Sequence, residues 1–253
     1  MTMVIDPVCE MDVDVSTAAW TSDYRGVTYY FCARACKGAF DRDPERYLGR
    51  ERKTAAAAVL DGPPITMPVD VAIKTRRSIS RFKDAPVLRE FVARMLDGAV
   101  WAPNHHLTEP WEFHVLGGEA KRAFAKHRID FRRTLFKNPD APETEKALEK
   151  LYAGTVGTPV IIAVTTTSPD DPDLRDDDYG ATMCAIQNML LTAVGLGLGA
   201  YLRTGGFIHH PGLREFLGVP DGRRIAGILY VGYPERTPER RRTPYAQKTR
   251  WLE

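Results

Sequence analysis

The chain has 253 residues, of which 43% are hydrophobic and 27% charged, and its formal net charge is only +2. This composition supports a substantial core, in one large domain or in a large domain with a smaller one. The small net charge gives no reason to expect a nucleic-acid partner, and no unbroken apolar run is long enough to cross a bilayer. The N-terminus shows no basic segment followed by an apolar one, so we expect a cytoplasmic protein.

The cysteines are concentrated near the N-terminus. Cys9, Cys32 and Cys36 fall within the first 36 residues, and the fourth is Cys184. This distribution does not resemble a secreted disulfide framework and indicates either a metal site or buried, reduced thiols. Cys32 and Cys36 are four residues apart, which predicts both sulfurs on one face of a helical turn, and a hairpin could bring Cys9 beside them. Three thiolates could then converge on one soft cation.

The strings DPVCEM, YYFCARAC and DPERYL resemble the YHS module, a small metal-binding domain of the TRASH type. The resemblance covers residues 1–50 and implies that Cys9, Cys32 and Cys36 hold zinc or a soft heavy metal. Glu10 stands where the family usually has glycine, a departure that touches no ligand. Residues 51–67 change from charges to alanines and then to Gly-Pro-Pro, which predicts a linker, so the second domain is expected at 68–253.

Two polar segments flank an amphipathic helix in the second domain. The first, RRSISRF, places Arg76, Arg77, Ser78 and Ser80 within five residues, a cluster suited to gripping a phosphate or a carboxylate. The second, WAPNHHLTEPW, is a turn that carries imidazole, amide and hydroxyl groups. Apolar residues recur at helical spacing from 88 to 100 between them, so we predict a buried helix that fixes the two polar loops as a cofactor cradle.

The rest of the second domain alternates helices with strands. The acidic stretch 169–178 is predicted to be a solvated loop, and Cys184 is expected to pack in a helix. Small residues in that helix suit a subunit interface. A metal site formed by His209 and His210 is disfavoured, because adjacent side chains point to different sides. The remaining predicted strands are 112–116, 159–164, 200–207 and 225–233, and the remaining helices are 117–137, 143–156 and 179–197.

Six strings in order resemble the flavin-dependent nitroreductase family: RRSISRF, WAPNHHLTEPWEF, TPVIIAV, AIQNMLLTAVGLGLGAYLRTG, FLGVP and ILYVGYP. The resemblance covers residues 68–253. It implies an α+β fold, with a central, mostly antiparallel sheet flanked by helices. It also implies an intertwined homodimer that binds FMN at the subunit interface.

The resemblance also implies roles for individual residues. Arg76 and Ser78 match the family's phosphate-binding Arg-x-Ser, and Arg77 matches a neighbour that reaches the ring edge or the ribityl chain. Arg240 and Arg242 match a basic pair that completes the phosphate site. The full set of predicted cofactor-binding residues is Arg76, Arg77, Ser78, Ser80, Pro103, Asn104, His105, Arg203, Thr204, Gly205, Arg240 and Arg242.

Two parts of this set have special positions in the family. Pro103, Asn104 and His105 match a turn that usually serves the flavin of the partner subunit. Thr204 and Gly205 match the loop beside the reactive edge of the flavin and are the predicted catalytic positions, acting through backbone N–H groups. Leu107 and Glu109 stand where many members have Asn and Gln, so the substrate is not specified by the resemblance.

The implied reaction is a ping-pong transfer in which NAD(P)H reduces the flavin at N5 and a small acceptor then oxidises it. The acceptor would be a nitroaromatic, a quinone or an enone. The alternatives are a specialised branch, either reductive dehalogenation or flavin fragmentation, and a metal-sensing protein with a regulatory flavin domain. If there were no flavin site, the arginines would simply pair with some of the 33 acidic residues of the chain.

Overall fold

A computed structural model describes residues 2–8, 12–48 and 64–252. The predicted linker therefore lies largely outside the described residues. The N-terminal part consists of two short antiparallel hairpins followed by two helices. Its elements are β1 (Met3–Ile5), β2 (Asp12–Asp14), β3 (Trp20–Tyr24), β4 (Val27–Phe31), α1 (Arg34–Arg42) and α2 (Pro44–Leu48).

The N-terminal module has a small aromatic core. Phe31 and Phe40 are each 1% exposed, their ring centroids are 5.2 Å apart, and Tyr47 packs against them. The β3–β4 turn uses Arg25 and Gly26, both at positive φ, as a tight two-residue hairpin requires. A core of this size supplies little stability by itself, and modules of this kind are often held together by a metal.

The second part contains a four-stranded antiparallel sheet with the strand order β5-β6-β8-β7. Every residue of β6 except the last is buried, because the strand lies between two layers of helices. The predicted antiparallel sheet flanked by helices is therefore confirmed. The strands are β5 (Trp111–Leu116), β6 (Val160–Thr167), β7 (Gly199–Arg203) and β8 (Arg223–Gly232).

The helices form one hydrophobic core on each face of the sheet. On one face, α4 and α7 pack against β6 and β8 through residues such as Met95, Met189 and Leu229. On the other face, α5 and α8 pack through Phe124, Leu213 and Ile228. The helices are α3 (Val69–Thr75), α4 (Arg89–Val100), α5 (Gly118–Arg133), α6 (Pro142–Val156), α7 (Pro172–Gly195) and α8 (Pro211–Phe216).

The predicted acidic loop at 169–178 is wrong beyond residue 171. Helix α7 begins at Pro172, and the Asp171 side chain caps it by accepting a hydrogen bond from the amide of Asp173 at 3.0 Å. A capping aspartate, a proline in the first turn and nearby acidic groups all favour a helix start. Asp178 is only 3% exposed, because its carboxylate accepts hydrogen bonds from the hydroxyls of Thr108 and Thr167.

Within residues 2–8, 12–48 and 64–252, no helix combines the length and the apolar character needed to cross a membrane.

The close contact between residues 78–79 and β7 yields a stability prediction. A methyl group added at Gly199 would lie 2.5 Å from Cγ1 of the buried Ile79. We expect Gly199→Ala to lower the free energy of unfolding by about 1–3 kcal/mol, measured by urea titration. As a control, Gly180→Ala in α7 has open space and is expected to raise it by about 0.5–1 kcal/mol. Identical unfolding midpoints for Gly199→Ala and the wild type would contradict this account.

Candidate functional site

An open cavity of about 440 Å³, which we call the arginine cavity, lies between residues 76–81 and the C-terminal segment. Six arginines and two serines line it, without a carboxylate among the described lining residues. The structure therefore brings together six of the predicted cofactor-binding residues, and a cavity of this composition attracts an anion. The charged and hydroxyl-bearing lining residues are Arg76, Arg77, Ser78, Ser80, Arg81, Arg236, Arg240 and Arg242.

The segment that carries the two serines is fixed by pairing with β7. The amide of Ile79 donates a hydrogen bond to the carbonyl of Ala200 at 3.0 Å, and Ser78 forms a parallel bridge with the same residue. The Ile79 side chain is 4% exposed, whereas Ser78 and Ser80 on either side of it reach the cavity. This alternation is that of an extended strand and directs both hydroxyls to one side.

Arg77 has one buried hydrogen-bond donor that no described residue uses. One terminal nitrogen donates to the carbonyls of Lys74 at 2.7 Å and Arg76 at 2.8 Å. Its buried Nε has no hydrogen-bond partner in the described part of the chain. A buried donor without an acceptor is costly, so this position is suited to a ligand that brings an acceptor.

Two further cavities extend this site along the sheet. A cavity of about 330 Å³ shares Ser80 and Tyr201 with the arginine cavity. A third, of about 610 Å³, shares Arg128 and Arg203 with the second and is walled by the aromatic rings of Phe131 and Phe207. We call these three adjoining cavities the groove. Its lining changes from strongly cationic at one end to aromatic at the other. Such a gradient suits a ligand with an anionic end and a flat ring.

Arg203 and Tyr230 are the central polar groups of this groove. The Arg203 guanidinium lies 4.5 Å from the centroid of the Tyr201 ring and 4.9 Å from that of Tyr230. The buried Arg203 Nε and Tyr230 hydroxyl both lack hydrogen-bond partners among the residues that the structure describes. Burial raises the pKa of Tyr230, so the hydroxyl keeps its proton and can donate. Both groups thus require an acceptor in the groove.

The two predicted catalytic positions lie in different surroundings. Gly205 lines the third cavity, and a Cβ at this position would meet no described atom within 4 Å. A ligand can therefore approach its backbone closely. Thr204 does not line any of the three cavities, judged from the described residues. Its Cγ2 instead lies close to Gly227, at 3.6 Å from where a Cβ would be.

The turn Pro103–Glu109 does not line these cavities either, as far as their described residues extend. It is fixed by its own hydrogen bonds and by contacts with α7. Asn104 Oδ1 accepts from the amide of Glu109 at 2.9 Å, and Thr108 donates to Asp178 Oδ1 at 2.7 Å. His105 Nδ1 lies 2.8 Å from Asp177 Oδ2. The turn is thus held against the start of α7.

Three residues of this turn adopt left-handed backbone conformations. His106, Leu107 and Glu109 have φ values of 56°, 49° and 43°. Positive φ is uncommon outside glycine, and clusters of such residues are often found at functional sites. Leu107 and Glu109 are also the two positions at which the sequence departs from the family pattern.

The N-terminal cysteines form a compact cluster with an aspartate that the sequence analysis did not select. One ligand atom each from Asp6, Cys32 and Cys36 lie within 4.8 Å of one another. The two sulfurs are 3.7 Å apart. The prediction that both cysteines lie in one helical turn is wrong for Cys32, which precedes α1. Cys9, the third predicted ligand, lies outside the described residues.

Asp6 organises the loop that carries Cys32. It is fully buried, and its carboxylate accepts hydrogen bonds from the amides of Val8 at 2.8 Å and Cys32 at 2.9 Å. Burial raises the pKa of Asp6, but hydrogen bonds from these amides and from the thiols of Cys32 and Cys36 together outweigh it, so the net pKa lies below the usual value. The Asp-Pro turn at 6–7 was the available sequence signal, because aspartate often accepts from amides that follow it in a turn.

A histidine from the second domain also reaches this cluster. His106 Nδ1 lies 2.9 Å from the Sγ of Cys36, which is fully buried. Burial, together with the neighbouring His105, lowers the pKa of His106 and favours the neutral imidazole. The sequence analysis predicted His105 as a flavin-binding residue of the turn and gave His106 no role of its own. The contact joins residues 70 positions apart, and no local pattern signals it.

Family comparisons cover both parts of the chain. Residues 73–233 match the model of the nitroreductase family, and residues 4–51 match that of the YHS domain. A relative from Bacillus subtilis (strain 168), YfhC, carries the name of an NAD(P)H nitroreductase and is 34% identical over 174 residues. That alignment covers 68% of this chain and 88% of the relative. The nitrobenzene nitroreductase of Ectopseudomonas oleovorans is 25% identical over 197 residues, or 66% and 87% of the two chains.

Solved structures show the same fold. A nitroreductase-like family protein from Bacillus cereus superimposes with a TM-score of 0.67 at 31% identity, covering 76% of this chain and 100% of that one. A structure of a nitroreductase from Desulfovibrio desulfuricans in complex with FMN gives a TM-score of 0.56 at 26% identity, covering 74% and 98%.

Proposed function

Because the chain belongs to the nitroreductase family and carries an N-terminal YHS domain, we propose that it is an FMN-dependent oxidoreductase. It would pass electrons from NAD(P)H to a small organic acceptor. The observation that carries this proposal is the arginine cavity, which continues into an aromatic groove. FMN has a phosphate at one end and a flat ring at the other, and the relative from Desulfovibrio desulfuricans has been solved with it.

The cationic end of the groove fits the phosphate of FMN. Arg76, Ser78, Arg240 and Arg242 come from two distant segments and share this cavity. Guanidinium groups bind phosphate oxygens through paired N–H donors, and the serine hydroxyls add neutral donors. The buried Nε of Arg77, which lacks a partner in the described chain, supports a ligand here.

The middle of the groove fits the polar edge of a flavin ring. Arg203 Nε and the Tyr230 hydroxyl are buried donors without described acceptors, and a flavin would supply carbonyl oxygens and ring nitrogens. A positive guanidinium near the ring would also favour added negative charge on it. Gly205 would present its backbone without a side chain in the way.

The bound flavin would supply the two-electron chemistry, while the residues of the chain bind and orient the reactants. Phe131, Leu135 and Phe207 wall the largest of the three cavities and offer apolar surface for a flat molecule. We propose that NAD(P)H and the acceptor use this surface in turn, in a ping-pong cycle. A nitroaromatic, a quinone or an enone would suit it, and the name of the relative from Ectopseudomonas oleovorans favours a nitroaromatic.

We further propose that two copies of the chain form the active dimer. The described lining of the arginine cavity does not include Pro103, Asn104 or His105. This is consistent with a turn that contacts the flavin of the partner subunit. Trp101, directly before this turn, is 61% exposed, and Trp251 is 79% exposed. Large exposed aromatic side chains of this kind are typical of interfaces.

The cysteine cluster supports a second proposal, that the YHS domain binds zinc or another soft divalent cation. Two sulfurs and a buried carboxylate converge, with one ligand atom of each within 4.8 Å of the others. The donor set of thiolates with oxygen or nitrogen is the one that zinc prefers. Cys9 remains a predicted ligand.

Flavin binding can be tested at the phosphate end. Arg76→Ala should weaken FMN binding by about tenfold or more, because a charged hydrogen bond contributes about 1.5–3 kcal/mol. Riboflavin, which lacks the phosphate, should bind wild type and variant equally, as measured by fluorescence titration. Arg122→Ala removes a surface arginine paired with Glu119 and is the control.

The same flavin titration can overturn the proposal. Wild-type protein that cannot be reconstituted with FMN, or whose bound flavin is not bleached by NADH or NADPH, would exclude the oxidoreductase. An equal loss of FMN and riboflavin affinity in Arg76→Ala would show that Arg76 does not act at the phosphate.

The dimer can be tested at Trp101. The FMN-loaded wild type should sediment at twice the chain mass, and Trp101→Glu should shift it towards monomers, because an uncompensated charge in an apolar interface is unfavourable. Val27→Glu, at an exposed apolar residue of the N-terminal module, should remain dimeric. A monomeric wild type that retains FMN would refute the shared site.

Zinc binding can be tested by elemental analysis of the purified chain. We expect about one zinc per wild-type chain and strongly reduced zinc in Cys32→Ser, because a hydroxyl is a much poorer ligand than a thiolate. Cys184→Ser alters an exposed cysteine outside the cluster and should keep its zinc. Equal metal content in Cys32→Ser and the wild type would remove this proposal.

A further inference from the structure

The cysteine cluster lies at the contact between the two domains, where His106 approaches Cys36. His106 Nδ1 is 2.9 Å from Cys36 Sγ, and Cys36 Sγ is 3.7 Å from Cys32 Sγ. Helix α1 and the short helical turn His105–Leu107 pack against each other at this point. Asp6, Cys32 and Cys36 each place a ligand atom within 4.8 Å of the others. His106 approaches this group through Cys36.

We propose that His106 is a ligand of the metal in the YHS domain, so that one metal ion joins the N-terminal module to the turn of the nitroreductase domain. This inference rests on the proposed metal site and adds a ligand that lies outside the YHS match at 4–51. The ion would be zinc or a similar divalent cation that accepts both sulfur and nitrogen ligands.

The sulfur spacing fits this assignment. In a tetrahedral zinc site with Zn–S distances of about 2.3 Å, two sulfurs are separated by about 3.8 Å. The distance of 3.7 Å between the sulfurs of Cys32 and Cys36 agrees with that geometry. The two thiols are thus already placed along one edge of the tetrahedron.

The imidazole would need only a small displacement. With a Zn–N distance of about 2.0–2.1 Å, a ligating nitrogen and sulfur lie about 3.6 Å apart. The ion would therefore lengthen the observed distance of 2.9 Å between His106 Nδ1 and Cys36 Sγ by about 0.7 Å. A plain thiol–imidazole hydrogen bond would also bring Cys36 and His106 together. The Asp6 carboxylate likewise accepts hydrogen bonds from the thiols of Cys32 and Cys36. Hydrogen bonding alone therefore predicts the same contacts, and the metal titration below separates the two explanations.

The turn holds His106 in position for this role. His106 has a φ of 56°, in the left-handed region. Its ring stacks on that of His105 at a centroid distance of 3.7 Å and an interplanar angle of 19°. His105 is in turn bound to Asp177 of α7 at 2.8 Å. Outer contacts of this kind orient a metal-binding imidazole before the ion arrives.

A metal ligand at this position would connect the ion to the proposed flavin site. Pro103–His105, the predicted flavin-contacting segment, directly precedes His106 in the same turn. Binding of the ion would restrict this turn, whereas loss of the ion would release one of its anchors. The YHS domain would then be linked to the turn by a bond between the metal ion and the His106 imidazole, and not only by surface contact.

The test compares His106→Asn with His105→Asn in the full chain, with Co²⁺ and Zn²⁺ as the probes. Asparagine tolerates positive φ but is a poor zinc ligand, so the turn is retained while the proposed ligand is lost. We expect His106→Asn to weaken Zn²⁺ binding by at least about tenfold in chelator competition. The visible absorption of bound Co²⁺ should also change position. His105→Asn removes a stacking contact but no ligand, so it should weaken Zn²⁺ binding less than His106→Asn does and leave the Co²⁺ absorption unshifted.

The outcomes separate the two proposals. Wild-type affinity and an unchanged Co²⁺ spectrum in His106→Asn, with binding still lost in Cys32→Ser, would overturn the role of His106 and leave the YHS metal site intact. A wild type that binds neither ion would overturn both. Circular dichroism and FMN content, measured on each variant, ensure that a loss of affinity is not a loss of folding. As a direct readout, X-ray absorption of the Zn²⁺-loaded wild type should show imidazole scattering that is absent in His106→Asn.

Discussion

The gathering of six like charges at one cavity is the constraint on which the second domain's site depends. Six arginines line this cavity without a carboxylate in its described lining, and like charges repel one another. The fold holds them there by pairing residues 78–79 with β7 and by returning the chain after β8 to the same place. An anion would relieve the repulsion, and by mass action any ligand that binds only the folded state stabilises it. Binding of an anion would therefore stabilise the folded state, and only the folded state would form the anion site.

The sheet and the clustering of arginines and serines in the arginine cavity could be predicted because their signals are local. Residues 160–166 form a continuous apolar and threonine-rich run, and every one of them is buried in β6. Likewise, Arg76, Arg77, Ser78 and Ser80 are adjacent in sequence, so their common location needs only one extended segment. Arg240 and Arg242 were placed with them by family resemblance, since periodicity gives no information about so distant a contact.

The remaining features of the fold and the site could not be predicted from the sequence, because they depend on tertiary contacts. Asp178 belongs to a strongly acidic stretch that favours solvent, yet hydroxyls of Thr108 and Thr167 from two other elements make its burial possible. The Asp6 carboxylate accepts hydrogen bonds from backbone amides and does not pair with a charged side chain in the described chain. His106 contacts Cys36 only after both domains have folded. Each case requires a partner that the local sequence does not specify.

The distribution of these groups along the chain has a consequence for synthesis. A chain emerges from the ribosome at about 5–20 residues per second, with N-terminal units folding first. Cys32 and Cys36 are therefore exposed well before His106 is made, and Arg240 and Arg242 appear only after the whole sheet. In the proposed metal site, the thiols would therefore wait for a later ligand, open to oxidation or to capture of a foreign ion. The proposed flavin pocket, by contrast, could not trap its cofactor before the scaffold is finished.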